Sequence, residues 1–100
     1  MLYNYRMATT HALVALNSST AVKLTPPVDT HSGLDFTVQN ANESGYIYLG
    51  AANVTTTNYG FRILPNHSIS FELPPKDHLY AVASTSLNAA VISIGLESKN

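Results

Sequence analysis

The chain predicts an all-β fold, a single antiparallel β-sandwich or jelly-roll-like domain of about eight short strands. Three observations lead there. Apolar and polar residues alternate with period two in several separate runs, these runs are punctuated by Pro, Gly, Asn and Ser, and no segment keeps a capped helical period. The clearest alternation is Leu34 to Gly50, LDFTVQNANESGYIYLG. Leu34, Phe36 and Val38 point to one side of a strand, and Asp35, Thr37 and Gln39 to the other. Asn40, Asn42, Ser44 and Gly45 then supply turn chemistry. Strand formers resume at Tyr46, with Ile47 and Leu49 on one face and Tyr46 and Tyr48 on the other. The stretch reads as a β-hairpin. An isolated hairpin does not hold in water, so the other strands must pack around it.

In chain order, residues 1–9 read as an N-terminal arm or extension ahead of a β-sandwich domain over 10–100, with Met7 as an alternative start of translation. Thr10 to Leu16 is a strand of buried type. Asn17 to Thr20 turns the chain into a second strand, TAVKL, with Val22 and Leu24 inward, until Pro26 and Pro27 end it. After the 34–50 stretch, AANVTTTNYG reads as a loop or irregular edge. Tyr59 to Ile63 is a short strand. Leu64 to His67 suits a tight turn, proline presetting its first central position and asparagine accepting the second. Ser68 to Leu73 alternates with Ile69, Phe71 and Leu73 inward, Pro74 to Asp77 turns again, and HLYAVAS reads as a nearly continuous apolar strand. AAVISIGLE closes the domain with Ile92, Ile94 and Leu96 on one face.

The 100 residues fit one domain with one core. Asp, Glu, Lys and Arg make up 11%, against about 25% in an average soluble domain. Ser and Thr contribute twenty residues and Asn nine, and the net charge is −1. A surface so weakly charged is poorly defended against association, which favours an assembled state. The basic residues Arg6, Lys23, Arg62, Lys76 and Lys99 are scattered and form no stripe that would track a phosphate backbone, so nucleic acid is not the expected ligand. With no cysteine, disulfides and thiolate sites are excluded. No apolar run approaches the roughly 20 residues of a helical membrane span. The N-terminus lacks the basic start and apolar core of a secretory signal, and the expectation is a soluble chain without a membrane partner.

Four histidines, His11, His31, His67 and His78, are the candidates for metal or acid–base work. Their spacing matches no ligand pattern. Ser84 and Ser86 lack the glycine elbow that exposes a nucleophile. The glycines at 33, 45, 50, 60 and 95 form no phosphate cradle. The expectation is a protein without catalytic residues, cofactor or metal. Four Asn-x-Ser/Thr triplets, beginning at Asn17, Asn42, Asn53 and Asn66, carry little weight in a chain this rich in those residues. Tyr46, Tyr48, Tyr59 and Phe61 fall on neighbouring β segments near Arg62. They read as an aromatic patch for a partner protein, as a platform for sugar rings, or as the outer rim of the core.

From Phe36 to Leu96 the segments FTVQN, YIYLGAANVTT, GFRILPNHSISFEL, DHLYAVAS and AAVISIGLE together resemble small β-sandwich virion proteins of tailed bacteriophages. The resemblance spans about 60% of the chain and carries structural pattern rather than functional residues. It implies a particle component: a head decoration (cement) protein that binds the outer capsid surface and bridges shell subunits, or a carbohydrate-binding or adhesion module of a head or tail fibre. Its implied location is the virion, its partner the major capsid protein or another virion protein. Self-association as a homo-oligomer, with a trimer at local three-fold positions, is expected of such assemblies. Contact residues would be Tyr3, Tyr5 and Arg6 in the N-terminal arm, or the edge carrying Tyr46, Tyr48, Tyr59, Phe61 and Arg62. The chain departs from the pattern in its first six residues and at Pro74-Pro75, where such chains often carry a glycine turn.

Overall fold

A computed structural model describes residues 6–25 and 33–97, with side chains placed for 9–25 and 33–95. Eight strands follow one another as β1 (Arg6–Leu16), β2 (Val22–Lys23), β3 (Leu34–Asn40), β4 (Ile47–Gly50), β5 (Phe61–Ile63), β6 (His67–Leu73), β7 (Tyr80–Ala83) and β8 (Leu87–Glu97). The strands form two antiparallel four-stranded sheets, ordered β1-β8-β3-β6 and β2-β7-β4-β5. This is the jelly-roll order, in which the chain crosses between the sheets at nearly every connection. The sandwich expected from the alternation is therefore present.

The inner faces build one core. Leu16, Phe36, Val38, Ala89 and Val91 from the first sheet meet Leu24, Ile47, Leu49, Ile63, Ala81 and Ala83 from the second. In β3 the alternation works as read, since Leu34, Phe36 and Val38 are buried while Asp35 and Gln39 are exposed.

The 34–50 stretch is not a hairpin. Its two strands exist, but β3 lies in the first sheet and β4 in the second, so residues 41–46 form a crossing between sheets. Asn40 explains why. Its buried side chain donates to Gly45 O (3.0 Å) and to Ile63 O (3.1 Å), while its Oδ1 accepts from Asn42 N (3.3 Å) and Asn42 Nδ2 (2.7 Å). Asn42 Nδ2 also donates to Asn88 O at 2.9 Å. These bonds turn the chain across the end of the sandwich, whereas a hairpin would return it alongside β3. Gly45 completes the turn with φ 94°, a conformation that favours glycine.

Other boundaries move as well. β1 starts at Arg6 and pairs with β8 from Arg6↔Glu97 onward, so residues 6–9, read as part of an arm, are sheet; residues 1–5 lie outside the described residues. Tyr59 belongs to the loop ahead of β5, and only Tyr80–Ala83 of HLYAVAS is strand. The face shared by Ile92 and Ile94 is the outer one: Ile92 is 43% exposed, and Ala89, Val91 and Ser93 face the core. Both faces of β8 are apolar enough that period alone does not choose; the register Ser93↔Phe36 does, because a small residue there leaves room for the Phe36 ring. The turns at Pro65-Asn66 and Pro75-Lys76 form as read. Asn66 (φ 63°) and Lys76 (φ 68°) take the left-handed position, with His67 N donating to Leu64 O at 3.1 Å and Asp77 N to Pro74 O at 3.2 Å.

Candidate functional site

Two places on the sandwich could meet a partner. The first is the outer face of the second sheet. Tyr48 stands opposite Arg62 in the β4–β5 register, so both project to the same side. Tyr48 is buried there against Val54 and Val82, beneath the loop between β4 and β5. That loop is closed by Val54 N donating to Ala51 O (3.0 Å) and by Thr55 and Asn58, which exchange backbone bonds of 2.8 and 3.3 Å. Tyr59 packs on Tyr48 with ring centroids 4.7 Å apart, and Tyr46 meets Tyr48 edge-on at 6.5 Å. The Arg62 guanidinium lies 4.8 Å from the Tyr46 ring centre, a cation–π contact. Tyr46 is pinned from the other side, its N donating to Ser84 Oγ and its O accepting from Ser84 N, both at 2.9 Å. The result is a tyrosine row with a buried centre and two half-exposed ends, Tyr46 at 38% and Tyr59 at 42%. Such a row can stack on a sugar or contact a protein; it offers aromatic faces and one cation.

The structure thus gathers Tyr46, Tyr48, Tyr59 and Arg62, but it separates Phe61 from them. Phe61 pairs with Leu49 and shares the inward side of β5 with Ile63. Because β5 is the last strand of its sheet, the ring sits at the open flank of the core, 42% exposed. Of the N-terminal candidates, Arg6 opens β1, while Tyr3 and Tyr5 lie outside the described residues.

The second place is on the opposite flank, and the sequence reading did not single it out. Between the edge strands β1 and β2 a groove of about 340 Å³ opens into the core, walled by Thr10, Ala12 and Val14 on β1, by Leu24, and at its floor by Phe36 and Val91. Thr10 Oγ1 and Ser93 Oγ hydrogen-bond each other at 2.8 Å, which leaves the floor apolar in character. Nearby, His78 Nδ1 and Thr25 Oγ1 are 2.6 Å apart, tying the end of β2 to the segment before β7. The only hint in the sequence was the small residues Thr10, Ala12 and Ser93 on core-facing positions.

Among the described residues no group of three His, Asp or Glu side chains is placed to hold a metal ion, and no helix is long and apolar enough to cross a membrane.

No family model and no curated protein matches the chain. Among solved structures, a subunit from Bacillus endospore appendages, described as forming a family of disulfide-linked pili, is similar to it with a TM-score of 0.61 and 11% identity, over 99% of this chain and 93% of that one. At that identity the likeness is one of fold. The present chain, having no cysteine, has no means of forming a disulfide link.

Proposed function

We propose that this protein is a non-enzymatic structural subunit that works in many copies, and specifically a capsid decoration protein of a tailed bacteriophage, bound to the outer head surface in the virion. The observation that carries the reading is a small jelly roll whose first sheet ends in a long strand without charge or proline over most of its length. β1 runs for eleven residues, and from Met7 to Leu16 it contains no Pro, Gly, Asp, Glu, Lys or Arg. Monomeric β proteins usually guard such edges with charge, proline or a bulge, because unpaired backbone groups recruit other chains. The weakly charged surface points the same way, and so does a fold shared with a subunit of an assembled appendage. The phage assignment rests on the resemblance of the Phe36 to Leu96 segments to virion proteins. Attachment of many copies turns a modest contact into strong overall binding to a shell.

The test is the temperature at which capsids lacking the protein release their contents, with and without the purified chain. A higher release temperature supports the cement role. An unchanged one contradicts it.

The tyrosine row favours a second reading, a carbohydrate-binding module of a head or tail fibre, in which Tyr46 and Tyr59 stack on sugar rings beside Arg62. Glycan-array binding that is lost in Tyr59→Ala supports that reading, and silence across the array removes it.

A further inference from the structure

The two flanks of the sandwich complement each other: one exposes a phenylalanine at the core level, the other opens a groove at the same level. We propose that copies of this chain associate head to tail, with Phe61 of one copy seated in the β1–β2 groove of the next. This deepens the structural-subunit reading and rests on it.

The levels follow from register. The β5–β6 turn closes between Leu64 and His67, so Phe61, three residues before Leu64, stands level with Ser70, three after His67. Across the first sheet that row reads Ser70↔Thr37↔Ile92↔His11, and His11 lies between Thr10 and Ala12 on the groove's β1 wall. Across the second sheet the row reads Phe61↔Leu49↔Ala81↔Val22, ending next to Lys23 and Leu24 on the opposite wall. A neighbour displaced sideways along the strand rows thus brings its Phe61 to this end of the groove with a shift of about one residue along the strands.

Strand direction agrees. Each sheet alternates antiparallel from edge to edge, so β6 runs opposite to β1 and β5 opposite to β2. When two copies keep the same orientation, β6 of one approaches β1 of the other antiparallel, and β5 approaches β2 likewise. Both sheets can therefore continue across one contact. The groove volume exceeds that of a phenyl ring, leaving space for the flanking lip of β5, and Ala12, Leu24 and Phe36 offer the ring apolar surface beside the polar His11, Lys23 and Thr25. A contact between two different surfaces of identical subunits is heterologous. It closes into a ring, trimer included, or runs on as a filament, according to the rotation per step.

Sedimentation velocity of the purified full chain over a range of concentrations, with Phe61→Asp and Ala12→Glu, tests the proposal. The wild-type chain should associate, and each variant alone should weaken association by about thirtyfold, the loss typical of a central anchor. Mixing the two variants should restore a one-to-one dimer and nothing larger, because Phe61 of the Ala12→Glu chain still fits the intact groove of the Phe61→Asp chain. Leu13→Ser, on the outer side of β1, should associate as wild type, and circular dichroism establishes that each variant is folded; if Ala12→Glu does not fold, Val14→Glu takes its place in the mixture. A wild-type chain that stays monomeric at about millimolar concentration, a Phe61→Asp chain that associates undiminished, or a mixture of folded variants that stays monomeric overturns the proposal. Association that survives Phe61→Asp leaves the structural-subunit reading standing, whereas a monomer that also fails to bind capsids removes both.

Discussion

At the scale of single residues, Asn40 has the largest consequence for its size. It is fully buried, and its side-chain amide meets four partners, two carbonyls through its donors and two N–H groups of Asn42 through its oxygen. Its backbone oxygen also accepts from Asn66 N at 2.7 Å, so one residue ties together the β3–β4 crossing and the β5–β6 turn. Removing the side chain strands the buried Ile63 carbonyl and the part-buried Gly45 carbonyl, a buried one costing roughly 1–3 kcal/mol. Asn40→Ala should therefore destabilise by about 3 kcal/mol, read as a lower denaturation midpoint in urea with an unchanged slope. Gly45 supports the same turn. A Cβ added there would come within 2.8 Å of Leu87 Cδ1, at a φ that side chains rarely adopt. Gly45→Ala should cost on the order of 1–3 kcal/mol, and a thermal melt coinciding with wild type would contradict this account of the crossing.

At the scale of elements, what could be read in the sequence was the existence of strands and the side each presents. β3 declares itself because Leu34, Phe36 and Val38 alternate with polar partners, and both proline turns declare themselves because proline presets the first central position, with Asn66 also suited to the positive φ of the second, whereas the positive φ of Lys76 was not legible. The pairing of strands was not readable. Asn40 to Gly45 contains the residues a hairpin turn would use, and only the bonds from Asn40 to Ile63 and from Asn42 to Asn88, 23 and 46 positions away, send the chain to the other sheet. The side of β8 was undecided for a related reason, since its apolar residues occupy both faces. The candidate site was legible in part. Tyr46, Tyr48, Tyr59 and Arg62 converge as neighbouring strands suggest, whereas Phe61 departs because one residue of offset along a strand reverses its face. The β1–β2 groove was invisible, being made by the absence of bulk across strands far apart in sequence. β1 itself yields a prediction. Leu13 is 73% exposed on the outer face, so Leu13→Lys should change unfolding free energy by less than about 0.5 kcal/mol. A larger loss in a concentration-independent melt would show that this face is packed.

At the scale of the whole molecule, the fold and the surface make one argument. A jelly roll has two flanks where the sheets end, and here β1 carries no charged residue from Met7 to Leu16, while the other edge strands carry single charges, Lys23 on β2, Arg62 on β5 and Glu72 on β6. The proposed assembly through these flanks would be driven by apolar burial and main-chain bonds, with few ions to screen. Self-association should accordingly hold nearly constant from low salt to about 0.5 M, and a steep fall with salt would place the contact on charged residues instead. The tyrosine row on the outer face of the second sheet would be left accessible by the proposed flank-to-flank contact, free for another partner. Co-sedimentation with capsids that lack the chain is the most direct test of the proposal that it decorates a particle as a structural subunit. Saturable pelleting at a fixed ratio to the shell subunit is the predicted result. A chain that stays in the supernatant at every concentration would contradict it.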